Sequence, residues 1–229
     1  MEIFVGSLLE GARQASGVVA VIDVFRAFTT AAVALSNGAS RIVMVSAIEE
    51  AFALRNRGIG QVCMGEVHGR KPDGFDFGNS PFEVTGVDFG GKTIIQRTSA
   101  GTQGIVAAAG ADRLYAASLV TATATARALA AGGPARVALV AMGNSGIERT
   151  DEDELCALHL RNLLEGRPGH PEAVRQLILA GGEIARFTDP GRSHLHWRDV
   201  EIALEIDRYD FAIRVRTEDG RLVGRVEAP

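Results

Sequence analysis

Short, unbroken apolar runs alternate with alanine-rich or amphipathic stretches along most of the chain. The valine-rich run Val18-Val19-Ala20-Val21-Ile22-Asp23-Val24 is too short for a buried helix and predicts a strand over 18–24 covered on both faces. Beyond Phe25-Arg26 an alanine-rich stretch to Leu35 predicts a helix, which Asn37-Gly38 closes as a C-cap. Positions 41–45 predict a second strand and 47–57 a second helix. The same order recurs 72 residues later: a strand at 93–96, a polar turn at 97–102, a helix at 103–109, then a strand and a helix after Arg113. At that offset Ile22 falls on Ile94, Thr30 on Thr102 and Arg41 on Arg113. The pattern predicts a duplicated β–loop–α–β–α unit, set against the plainer alternative that any alternating α/β chain resembles itself at this level.

A third round follows, with a strand at 136–140, a glycine-containing loop at 141–146 and a helix over 151–164 capped by Thr150. Alternation of this kind predicts an α/β protein built on a mainly parallel sheet with helices on both faces. The tail changes character. Runs at 209–216 and 221–226 flank Glu218-Asp219-Gly220, which predicts a C-terminal antiparallel hairpin at an edge of the sheet. The Asp199/Glu201 and Glu205/Asp207 pairs read as strand alternation with polar outer faces. No low-complexity linker divides residues 1–229, so a single domain is expected.

Composition narrows the classes. The chain is 46% hydrophobic and 23% charged, ordinary for a globular protein, and its net charge is −4 with 24 basic and 28 acidic residues. Without a polybasic run, nucleic acid is not an expected partner, whereas a small anion needs only local positive charge. Cys63 and Cys156 make no disulfide framework and are expected to be packing residues. No apolar run approaches the roughly 18 residues that cross a bilayer, and residues 1–6 do not read as a secretory leader. A cytoplasmic protein with no membrane partner is the expectation.

The chemistry should lie where strand ends feed helix N-termini, because free N–H groups there suit anions. Loops 23–30, 97–102 and 141–153 qualify, together with the polar, glycine-rich segment 65–81, which does not read as core. Asp23 directly follows an apolar strand and needs a partner. Arg26 is near enough to form a structural pair with it; alternatively Asp23 is a Mg²⁺ ligand or nucleophile and Arg26 holds phosphate. Arg97-Thr98-Ser99-Ala100-Gly101-Thr102 suits either an oxyanion cradle or a hydroxyl helix cap, and lacks P-loop spacing. In the 65–81 segment, Glu66 suits a hard cation, Arg70 and Lys71 suit anionic groups, and His68 could protonate a leaving alkoxide; a solvated surface loop is the alternative for all four. Acidic residues at 151–154 complement a helix dipole without further function, and Asp153 completes a capping-box-like pair with Thr150.

Five motifs in order, Asp23-Val-Phe-Arg26-Ala-Phe-Thr29-Thr30, Gly65-Glu66, Gly74-Phe-Asp76-Phe-Gly78-Asn79-Ser80-Pro81, Thr98-Ser-Ala-Gly101-Thr102 and Glu152-Asp153-x-Leu155-Cys156-Ala157, resemble the 2-phosphosulfolactate phosphatase family. The resemblance covers about residues 18–165. It implies a three-layer α/β/α fold and Mg²⁺-dependent hydrolysis of 2-phosphosulfolactate to sulfolactate and phosphate, a step of coenzyme M biosynthesis. It further implies catalytic roles for Asp23, Arg26 and Glu66, metal ligands in Asp23, Glu66 and Asp153, and substrate contacts from Arg26, Arg70, Asn79, Ser80, Arg97, Thr98, Ser99, Gly101 and Thr102. The attacking group would be water activated by the cation, or Asp23 through an acyl phosphate. Phe28, Val67 and the Arg-Thr-Ser-Ala form of the second threonine motif depart from the family's commoner pattern and touch the expected pocket. The partner implied is a small anionic phosphate ester, with a homodimer as a further expectation. The rival readings are a non-catalytic anion-binding regulator on the same fold, a phosphatase for another small anionic ester, and a hydrolase using Cys156 or His68.

Overall fold

The structure, a computed structural model, describes residues 1–228. Among the described residues nine strands form one sheet: β1 (Glu2–Ser7), β2 (Val18–Ile22), β3 (Arg41–Val45), β4 (Val62–Gly65), β5 (Thr93–Arg97), β6 (Arg113–Ala117), β7 (Arg136–Ala141), β8 (Ala212–Glu218) and β9 (Arg221–Glu227). The helices are α1 (Leu8–Gln14), α2 (Ala27–Ser36), α3 (Ile48–Asn56), α4 (Pro81–Val84), α5 (Gly101–Ala107), α6 (Ala122–Ala130), α7 (Asp151–Leu164), α8 (Pro171–Ala180), α9 (Ala185–Thr188) and α10 (Trp197–Ala203). Among the described residues no helix is long and apolar enough to cross a membrane.

The strand order is β1-β7-β2-β6-β8-β9-β3-β5-β4. The first four and the last three strands are parallel blocks, and the β8–β9 hairpin joins them with antiparallel pairs to β6 and β3. Apart from β1, the sheet reads β7-β2-β6-β8 from one side and β4-β5-β3-β9 from the other. Exchanging β2, β3, β4 for β5, β6, β7 maps the pairing of β2 with β6 onto that of β5 with β3. The strand order thus has the internal symmetry that the predicted repeat calls for, with β4 and β7 extending it by one strand, while the pairing makes Ile22 the counterpart of Arg97 rather than of Ile94.

Every residue of β2 is buried, as expected of a strand covered on both faces. Val19 and Val21 face a core beneath α1, α2 and α5 that runs under the whole sheet. Val18, Ala20 and Ile22 face a second core under α6, α7 and α8. A separate cluster of Val43, Val45, Cys63 and Ile95 lies under α3. These are the three layers α/β/α. Cys63 and Cys156 are buried free thiols within this packing.

The hairpin expectation needs correcting in one respect. The Asp219-Gly220 turn has the positive φ values that a tight hairpin needs, 48° and 74°, but β8 and β9 occupy the middle of the sheet, not its edge. Ile213 and Val215 are buried on one side while Arg214, Arg216, Glu218, Arg225 and Glu227 lie on the other, in the gap between the two helix-covered patches. Half-polar alternation is what an edge strand shows, so the pattern pointed outward. The 199–207 region also differs. Its acidic spacing reflects α10 and the turn after it: Asp199 is wholly buried, and the Asp207 carboxylate accepts N–H and O–H bonds from Thr123 in α6.

Candidate active site

β2 ends between the tips of β6 and β7, with Ile22 paired to Ala117 and Ala141, so Asp23 emerges at the strand tips. Asp23 is 5% exposed, and its carboxylate accepts two backbone hydrogen bonds, from Ala27 N–H at the start of the following helix α2 at 2.9 Å and from Gly101 N–H at the start of α5 at 2.8 Å. Two helix starts that might have held a ligand anion are thus occupied by a side-chain carboxylate. Gly101 is required by this approach: a Cβ there would lie 2.8 Å from Asp23 Oδ2 and 2.9 Å from the Ala27 Cβ. Burial pushes the Asp23 carboxyl up to about 6. The Glu66 charge adds to the rise, and the Ala27 and Gly101 N–H groups oppose it.

Two further carboxylates tie neighbouring turns together. Glu66, after β4, accepts from the Ser99 N–H, from Gly69 N–H at 2.6 Å and from Ser99 Oγ at 3.1 Å, joining the β4 and β5 turns. Gly65 makes this possible, with φ of +141° and a position where a Cβ would lie 1.8 Å from the Arg97 carbonyl oxygen. Asp153, in α7, accepts from Val24 N–H at 2.7 Å and Gly143 N–H at 2.8 Å, joining the β2 and β7 turns. It is therefore not the partner of a capping box, and Thr150 gives the helix no side-chain cap. Burial, followed by the Glu152 and Asp23 charges, holds the Asp153 carboxyl well above the usual range. Glu152 beside it is buried, pushed up to about 8 chiefly by burial, and its Oε2 has no partner.

Arg26 does not serve Asp23 as its ion-pair partner. Its Nη1 donates to Asp199 Oδ2 at 3.0 Å and to the His194 carbonyl at 3.2 Å, and Nη2 to the Gly69 carbonyl at 3.3 Å. Ser80 Oγ and Phe82 N–H complete the shell of Asp199. A cavity of about 270 Å³ opens over these groups, lined by the carboxylates of Asp23, Glu66 and Glu152 and the guanidiniums of Arg26, Arg186 and Arg192. Asn79, with a buried and unpartnered Oδ1, Ser99 and the exposed His68 also face it.

Of the residues singled out from the sequence, Asp23, Arg26, Glu66, His68, Asn79 and Ser99 share this cavity. The others stand around it. Thr98 and Thr102 are buried and bond each other reciprocally, Thr98 N–H to Thr102 Oγ1 at 2.8 Å and Thr102 N–H to Thr98 Oγ1 at 3.0 Å. Arg97 donates to the Ser46 and Glu66 carbonyls at 3.1 and 2.8 Å, so its guanidinium is a brace between turns. Ser80 holds Asp199 and caps α4 through Glu83 N–H. Gly101 acts through its N–H on Asp23, and Asp153 lies behind the cavity wall. Arg70 and Lys71 are exposed; neither lines the cavity. The 65–81 segment is nonetheless no solvated loop, since Glu66, Phe75 and Asn79 are all buried. Sequence reasoning missed Asp199, Arg186 and Arg192 and gave Glu152 only a helix-dipole role. Asp199 lies 173 positions from Arg26, a separation that leaves no local pattern.

Among the described residues no group of three or more His, Cys, Asp or Glu is arranged as a cage for a metal. Mg²⁺ asks less, one or two carboxylates beside phosphate oxygens and water. Asp23 and Glu66 face the same cavity, repel each other and keep unused lone pairs, which is a donor set of that chemistry.

Fold and cavity define a class: an α/β protein with a small, carboxylate-and-arginine-lined pocket at the carboxyl ends of its strands. The 2-phosphosulpholactate phosphatase family model matches residues 5–186, and the chain belongs to that family, whose members are by name phosphoric monoester hydrolases. It is similar to a "probable 2-phosphosulfolactate phosphatase" of Bacillus subtilis, 30% identical over 88% of each chain, and to one of Symbiobacterium thermophilum, 37% identical over 76% of this chain and 75% of the relative. A third such protein, of Carboxydothermus hydrogenoformans, is 47% identical over 47% of this chain; the match spans 44% of that relative, less than two thirds of its length.

Proposed function

We propose that this chain is a Mg²⁺-dependent phosphatase of small 2-phospho-hydroxyacids, with 2-phosphosulfolactate as its substrate. The observation that carries the proposal is the cavity itself, where Asp23 and Arg26 from the turn after β2 meet Glu66 from the turn after β4 within about 270 Å³. Family membership supplies the reaction class, and the relatives' names supply the substrate.

Asp23 and Glu66 are the proposed Mg²⁺ ligands; the bound cation would neutralise phosphoryl charge and act as a Lewis acid. Arg26 is pinned by Asp199 and two carbonyls, which leaves Nε–H and one Nη2 hydrogen free for phosphate oxygens. Asp23, with a carboxyl near 6, is mostly ionised at neutral pH. Both its oxygens already accept N–H bonds, which fixes its aim and favours a base toward the attacking water over a nucleophile that would surrender one of those bonds. Glu152 holds its proton at neutral pH and faces the cavity, so it can protonate the leaving oxygen.

A panel of phosphate monoesters assayed with Mg²⁺ and with EDTA tests this. Release of phosphate from 2-phosphosulfolactate that stops on chelation is expected. Equal rates with and without the metal, or turnover of simple alkyl phosphates alone, would overturn it. Acid quench of ³²P-labelled substrate should leave no label on the chain; a labelled Asp23 would make that side chain the nucleophile.

A further inference from the structure

Two of the cavity's arginines have no part in the proposed phosphoryl chemistry. Arg186 and Arg192 belong to the segment between α8 and α10, which folds back over the strand tips and meets Arg26 through the His194 carbonyl. Arg186 pairs with Glu183 through Nη1, yet its Nε–H is buried without an acceptor. Arg192 has only a 3.4 Å contact with Asp189 and stays half exposed. A buried N–H lacking an acceptor is destabilising unless a ligand supplies one, and a guanidinium fork matches an oxyanion well.

The charges in the cavity are also sorted. Asp23 feels Glu66 and, less strongly, Arg26, and Glu152 feels Asp23, so the carboxylates form one group with Arg26 at its margin. The other guanidiniums gather around His194, with Arg26 between the two groups. Its imidazole is held below the ordinary value first by burial and then by Arg70, Arg26, Arg192 and Arg186. Between the arginines, Phe187 and Leu195 give the cavity an apolar wall, with Phe187 packed edge-on against Phe25 at 5.2 Å. A short carbon chain bearing an acid at each end fits such a division.

We infer that Arg186 and Arg192 form a second anion subsite, which takes the sulfonate or carboxylate of the substrate while its phosphoryl group lies at the carboxylate end. The inference deepens the phosphatase proposal and rests on it for the identity of the ligand. It makes the segment after α8 the part of the chain that selects diacid esters over simple monoesters.

The test compares kcat/KM for 2-phosphosulfolactate and for phenyl phosphate, which lacks a second acid, in the full chain and in Arg192→Gln and Arg186→Lys. Arg186→Lys keeps the charge beside Glu183 but loses Nε–H and the fork, so it should fold where a neutral replacement fails. The preference for the diacid ester is expected to fall roughly ten- to a hundredfold in each variant, chiefly through KM. A preference within twofold of the parent in both variants would overturn the subsite. Calorimetric binding of sulfolactate keeps the two proposals separable. If no phosphate ester is turned over, the phosphatase proposal fails, yet sulfolactate affinity that drops tenfold or more in Arg192→Gln upholds the subsite. Equal affinity in parent and variant overturns it.

Discussion

The two halves of the duplicated sheet use matching turns for opposite purposes. After β2 the chain places a carboxylate and a guanidinium, Asp23 and Arg26, on the cavity. After β5, at the equivalent place, Thr98 and Thr102 spend their hydroxyls on each other and Arg97 spends its guanidinium on carbonyls. What the second turn gives the site is backbone: Gly101 N–H to Asp23 and Ser99 N–H to Glu66. Each half also has one carboxylate that staples two neighbouring tips, Asp153 between β2 and β7 and Glu66 between β5 and β4. The two halves are thus similar frames, in which the turn after β2 brings charged side chains to the cavity and the turn after β5 brings backbone N–H groups that orient carboxylates.

If that division holds, variants in the first turn should cost turnover and those in the second should cost stability. Asp23→Asn is expected to slow phosphate release about 10²- to 10⁴-fold, measured as initial rate at saturating substrate; activity within threefold of the parent would dissolve the contrast. Asp199→Ala leaves Arg26 buried without its countercharge and should destabilise the protein by about 3–5 kcal/mol in urea titrations. Glu152 sharpens the picture through pH. Its carboxyl binds a proton more tightly folded than unfolded, so its contribution to stability is complete below about pH 4 and is lost as pH rises through about 8. In EDTA the melting temperature should therefore decline from about pH 5 to about pH 8 and level off above, and Glu152→Gln should remove that decline, a gain of about 2–4 kcal/mol at pH 9. Gly101→Ala drives a methyl into Asp23 and Ala27; a loss of about 1–3 kcal/mol is expected together with a lower kcat. Thr102→Val, the mildest, should lose about 1 kcal/mol and leave kcat nearly unchanged.

The strands and their duplication were legible because both depend on local pattern. Apolar runs at 18–22 and 94–95 mark covered parallel strands, and Arg41 and Arg113 do open equivalent strands, but the strand pairing makes Ile22 the counterpart of Arg97 and not of Ile94, so the offset holds for one strand of the repeat and not the other. Asp23, Arg26 and Glu66 were legible as a polar residue following an apolar run. Their partners were not. That Arg97 would be used up on carbonyls, and Arg26 on Asp199, depends on turn geometry and on packing between distant segments. Arg186 and Arg192 lie in a charged stretch whose composition matches any solvated surface, and only folding over the strand tips gives them a ligand to face.

The central position of the hairpin bears on how the molecule comes into being. The seven other strands are all made before β8 and β9, yet neither parallel block has its inner neighbour until those two arrive. On the ribosome each block must wait with an open inner border, a ready template for a stray strand from another chain. A nascent-chain series released before and after residue 212 should therefore differ sharply in aggregation and protease resistance, with compactness gained only once the last hairpin closes the seam.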